Sequence, residues 1–83
     1  MKTVTKTITI EYKYISPSDA GKMLRKLHRT YGMSYKYIAE QIGVASATIS
    51  RWVSGENDRE LHPNSQIRLW DLIEQTTGES GKV

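Results

Sequence analysis

The first fifteen residues alternate between apolar and polar positions. In TVTKTITIEYKYI, Val4, Ile8, Ile10, Tyr12 and Tyr14 fall on one face, and Thr3, Thr5, Thr7, Thr9, Glu11 and Lys13 on the other. A period of two in β-branched and aromatic residues predicts a strand, with Lys6 interrupting its apolar face. No second strand follows in the pattern, and a lone strand leaves its backbone N–H and C=O groups unpaired. Antiparallel pairing with the same segment of a second copy is the expected solution.

The period then changes from two to that of a helix. Ser16 is a suitable N-cap, Pro17 fits the first helical position, and Asp19 sits in the first turn, where the helix dipole favours an acid. Ala20, Met23, Leu24, Leu27 and Tyr31 form one apolar stripe, and Gly32 is a fitting stop. A second helix is predicted from Ser34 to Gly43, with Tyr35, Ile38, Ala39 and Ile42 on one face. A third lies in VASATISRWVSG and ends at Gly55. The last starts near Pro63 to Ser65 and runs to about Thr77, before Gly78. Ile67, Trp70 and Ile73 form its inner stripe, and Leu69 and Leu72 spread the apolar arc well beyond one face. GESGKV reads as a frayed tail.

The third helix has two unlike sides. At about 100° per residue, Ser46, Ser50, Ser54, Ala47 and Arg51 share one side, and Ile49, Trp52 and Val53 the other. A merely solvated face would carry more Lys, Glu and Gln, which are better helix formers. Small hydroxylated side chains let a helix approach something closely. The major groove of DNA admits a helix, and there Ser and Thr can bond most base edges while Ala touches thymine methyl groups. Trp52 and Trp70 read as core, with Trp70 also open to an interface role.

Composition limits the remaining possibilities. Eighty-three residues make one domain, and a chain of this size buries only roughly 60% of its unfolded surface, so dimerisation is a natural remedy. There is no cysteine, which excludes disulfides and thiolate metal sites. His28 and His62 are too far apart in sequence to suggest a ligand pair, and no metal or cofactor is expected. No apolar run reaches the length of a membrane span, so a soluble cytoplasmic protein without a membrane partner is expected. The net charge of +3 is concentrated in the first half. Lys22, Arg25, Lys26 and Arg29 face only Asp19 in their segment, whereas the last third carries Glu56, Asp58, Glu60, Asp71, Glu74 and Glu79. Such a distribution suits a polyanion or a solvated helix face, and charge alone does not separate the two.

YKYIAEQIGVASATISRWVSG resembles the helix-turn-helix of the Cro/CI (XRE-like) family of small regulators. A small residue at the helix crossing (Ala39), a turn glycine four residues later (Gly43), the apolar residue after it (Val44) and another six residues past the glycine (Ile49) coincide here. With its flanking helices the resemblance covers roughly residues 18–77. It implies a mainly α fold of four to five helices. The N-terminal strand or arm (1–15) precedes a DNA-binding domain (16–77, motif about 35–54), and a tail (78–83) follows. It also implies site roles. Ser46, Ala47, Ser50 and Arg51 would face base edges, with Arg51 the best candidate for a bidentate contact to guanine. Tyr35, Lys36, Ser54 and Asn57 would meet the DNA backbone. Three features depart from the family. Ser46 and Ala47 stand where glutamines are frequent, Val53 stands where an acid is frequent, and the N-terminal strand is additional.

The function expected on this basis is sequence-specific binding of double-stranded DNA at an inverted repeat. The protein would be a small homodimeric repressor working at the nucleoid, resembling regulators of phages and mobile elements. Its dimer contacts would come from Ile8, Ile10 and Tyr12 of the strand, from Leu69 and Leu72, or from both. Two alternatives stay open. A ribbon-helix-helix protein would read DNA through the strand face of Thr3, Thr5, Thr7, Thr9 and Lys13. An antitoxin-like module would bind a protein partner and autoregulate. No nucleophile–base pair, glycine-rich phosphate loop or paired acids suggest an enzyme.

Overall fold

A computed structural model describes residues 2–7, 9–56 and 59–83 of the chain. The order is β1 (Thr3–Thr7), β2 (Ile10–Lys13), α1 (Pro17–Tyr31), α2 (Tyr35–Ile42), α3 (Ser46–Ser54) and α4 (Pro63–Thr77). The fold is mainly helical, as its periodicity predicts, with an antiparallel two-stranded sheet at the N-terminus.

The single N-terminal strand expected from the alternation is a hairpin. Val4 pairs with Tyr12, Thr3 with Lys13, Thr5 with Glu11 and Thr7 with Ile10, and the register shifts between Thr5 and Thr7. Folding back supplies the backbone partners that the sequence reading sought in a second copy. The reversal lies in a Thr/Ile run without Gly, Pro, Asn or Asp, so no turn residue announces it. The apolar face survives the correction, because Val4 and Tyr12 are both buried.

The tail is also not frayed. Lys82 bridges to Tyr12, the Lys13 N–H donates to the Gly81 carbonyl (2.7 Å), and the Val83 N–H donates to that of Glu11 (2.9 Å). β2 is therefore flanked on both sides, by β1 and by the chain end. Gly81 lies flat on the Trp70 indole, and a Cβ there would fall inside the ring's van der Waals surface. The Trp70 Nε1–H donates to the Lys13 carbonyl at 2.7 Å, joining α4 to the same strand.

Local signals set the helix ends. Ser16 Oγ accepts from the Asp19 N–H and Ser34 Oγ from the Tyr37 N–H, both at 3.1 Å. At α4 the His62 Nδ1 takes the capping role, accepting from the Asn64 N–H at 3.2 Å. Gly21, in the interior of α1, is buried where α1 crosses α3, and a Cβ there would collide with the Trp52 carbonyl oxygen. Glycine inside a helix costs about 0.5–1 kcal/mol relative to alanine, so its presence marks this close approach.

α4 is the centre of the molecule. It packs against α2 on one side and β1 on another, and with α1 it lines a shallow cleft through Ile73, Thr77, Met23 and Leu27. This corrects the dimer assignment. Leu69 is 0% exposed, Leu72 5% and Tyr12 1%, so all three fill the core of their own protomer and have almost no surface to offer another. Ile10 is half-buried against the same core, and Ile8 lies outside the described residues. The wide apolar arc of α4 exists because the hairpin covers it. Gln66, buried in the same helix, accepts from the Ile15 N–H with Oε1 (3.0 Å) and donates from Nε2 to the Leu61 carbonyl (3.4 Å). One polar side chain thus satisfies two backbone groups next to the core.

Candidate nucleic-acid interface

α2 and α3 pack on each other across a tight turn. Gly43 adopts φ +76°, the left-handed region that L-residues with a Cβ disfavour. This lets the N–H groups of Gly43 and Val44 both donate to the Ala39 carbonyl (2.9 and 3.0 Å), closing α2 and starting the turn. Arg68 of α4 reaches over the turn with Nη1. Ala39 is buried on α2, small enough for the neighbouring helix to approach; Ile38, Ile42, Ile49 and Trp52 complete this part of the core, and Val44 is half-buried against it. The positions on which the sequence motif rests are therefore the positions that hold the two helices together.

The opposite side of α3 is bare. Ser46, Ala47, Ser50, Arg51 and Ser54 are all exposed, as the helical wheel predicts, and Arg51 is the single long side chain among them. Ala45 is the N-cap and contributes no side-chain hydrogen bond. Its carbonyl accepts from the N–H groups of Thr48 and Ile49 (3.0 and 3.3 Å), so backbone alone starts the helix. The Ser54 hydroxyl donates to the Arg51 carbonyl at 3.1 Å, which leaves its lone pairs but not its proton for an external partner. At the other end of α3, the Trp52 Nε1–H donates to the Arg59 carbonyl at 3.3 Å, fixing the chain that follows.

Of the residues expected at a DNA backbone, Tyr35 and Lys36 begin α2; Tyr35 is half-buried and Lys36 exposed. Asn57 lies outside the described residues. The structure adds one residue to which the sequence reading assigned no role beyond its exclusion as a metal ligand. His28, in the last turn of α1, stacks on Tyr35 with ring centroids 4.2 Å apart and an interplanar angle of 20°. No spacing rule joins a helix C-terminus to the next helix start in this way, so this contact had no sequence signal.

Charge follows the same division. Lys22, Arg25, Lys26 and Arg29 are exposed on α1 and make no ion pair among the described residues. The pair that is described, Lys2 Nζ to Glu60 Oε1 at 3.0 Å, lies between the N-terminus and the loop before α4, with the Lys2 ammonium 4.1 Å from the Tyr14 ring centroid. The hydrogen bond from Lys2 lowers the Glu60 pKa and raises that of Lys2; burial, the leading cause for Tyr14, raises its phenol. No helix among the described residues is long and apolar enough to cross a membrane. No protein-family model matches the chain, and neither a curated protein nor a solved structure does.

Proposed function

We propose that this chain is a small helix-turn-helix regulator of the Cro/CI type, binding duplex DNA with α3 in the major groove. The observation that carries the proposal is the division of α3. Ile49 and Trp52 are buried, while the small Ser46, Ala47 and Ser50 are exposed together with the long Arg51. A face of this kind contributes nothing to the core and suits close approach to base edges. Arg51 would read guanine, Ser46, Ala47 and Ser50 would line the remaining contact, and Tyr35, Lys36 and Ser54 would meet phosphates. The unpaired cations of α1 supply a field that attracts the polyanion. The simplest action of such a protein is repression by covering a promoter.

A homodimer on an inverted repeat, with half-sites about 34 Å apart, remains part of the proposal, but its contacts would come from surfaces other than Tyr12, Leu69 and Leu72. The ribbon-helix-helix alternative is disfavoured because the strand pairs with β2 of its own chain, where that architecture pairs it with the strand of a second copy. The protein-binding alternative has one feature in its favour. β1 forms the outer edge of the sheet, where a partner strand could add.

Selection of bound sites from random duplex DNA tests the proposal, followed by affinity against salt. A palindromic consensus and a log–log slope near −0.9 per phosphate contact are expected. Arg51→Ala should weaken binding by about 1–3 kcal/mol at the selected site and relax the choice of base at one position, with the melting curve unchanged. A protein that enriches no duplex, or an Arg51→Ala variant that binds like wild type, overturns the assignment. Recovery of a stoichiometric protein partner together with absence of DNA affinity would favour the interaction module.

A further inference from the structure

α1 ends four residues before α2 begins, and one side chain spans the gap. The His28 Nδ1 lies 2.7 Å from the Met33 carbonyl oxygen. A carbonyl only accepts, so Nδ1 carries the proton and donates, which fixes the ring's orientation. The same ring lies nearly parallel to that of Tyr35, 4.2 Å between centroids. His28 is exposed and Tyr35 half-buried, so the contact sits at the rim of the molecule and adds little to its core. It touches both the linker (at Met33) and the first residue of α2.

We propose that His28 is a positioning residue for DNA binding: by gripping the Met33 carbonyl and the face of Tyr35, it presets Tyr35 to meet a backbone phosphate. The inference rests on the DNA-binding reading above and adds a residue of α1 to it. A half-buried tyrosine at the rim is free to change rotamer at its exposed side without this support, and ordering it at an interface reduces affinity. The stack removes that cost before the duplex arrives. The hydrogen bond to the Met33 carbonyl holds the imidazole in the plane that the stack requires.

The test uses the full chain and the duplex selected as above. His28→Ala should bind about two- to tenfold more weakly than wild type, the range set by ordering one side chain. Its salt slope, like that of Tyr35→Ala, should stay close to wild type, because a phenol hydroxyl bonded to a phosphate displaces no counterion. The double variant should bind no worse than Tyr35→Ala alone, because His28 acts through the tyrosine. His28→Phe, which keeps a stacking ring, should recover most of the loss. The His28 variants should melt close to wild type, as expected for an exposed residue. Tyr35→Ala removes a ring packed against the core and should melt lower, so all binding is compared below that transition. If His28→Ala binds like wild type, or adds its full loss to that of Tyr35→Ala, His28 has no positioning role. Those results leave the regulator assignment intact. A wild-type chain that binds no duplex overturns both.

Discussion

α3 and α4 make an instructive pair. Each has an inner stripe of isoleucine and tryptophan, and each has a second surface that the stripe does not explain. On α4 that surface is apolar, through Leu69 and Leu72, and the N-terminal hairpin and α2 cover its flanks. On α3 it is small and mostly hydroxylated, through Ser46, Ala47 and Ser50, and it is exposed among the described residues. An apolar surplus drives the chain to bury it, from within if any segment can reach. A small polar surplus has no such drive and stays open to an external partner. The hairpin, which looked like half of an interface between molecules, completes one molecule.

The sharpest way to break this comparison is Leu72→Ala. As a core residue it should destabilise the protein by about 2–5 kcal/mol, read as a lower urea midpoint that does not depend on protein concentration. A loss that disappears on dilution would return Leu72 to a dimer interface. Next in size is removal of residues 79–83. The variant loses two backbone hydrogen bonds to β2 and the Gly81 cover over Trp70. It should be less stable by about 1–3 kcal/mol, with tryptophan emission shifted to the red. Unchanged stability would mean that the tail does not pair with β2 in solution.

The smallest effect belongs to the exposed Lys2–Glu60 pair. Its sign follows from the two pKa shifts. Glu60 is lowered in the folded state and Lys2 raised, so the pair stabilises only while both are charged. Glu60→Gln should lower the melting temperature slightly at neutral pH. The difference should fade as pH falls through the lowered Glu60 pKa, and again as pH rises through the raised Lys2 pKa. Both side chains are more than half exposed, and pairs of this kind are worth little. A large shift would mean that the contact fixes the N-terminus more firmly than its exposure suggests.

The parts legible in advance were those written in neighbouring residues. Ser16 and Ser34 as caps, Pro17 as first helical residue, the start of α4 to within Pro63 to Ser65, and Gly43 as the turn each rest on signals within a few positions of themselves. The inner and outer sides of α3 follow from its spacing alone. The features that were not legible depend on distant partners. Gln66 joins residues on either side of the helical core, Gly21 meets Trp52, and His28 meets Tyr35; in none of these does local spacing state the contact.

By itself the sequence determined four helices, their ends, the composition of the α2–α3 motif and the bare face of α3, because capping, periodicity and glycine conformation are local physics. Only the tertiary structure decided what covers α4. The alternation in residues 3–14 states that one face of a strand must be buried, but not against what. Whether the strand meets a second copy or folds onto its own chain depends on where it reverses and which surface lies within reach. Here the strand reverses before Ile10, and its buried face meets the apolar flank of α4 in the same chain.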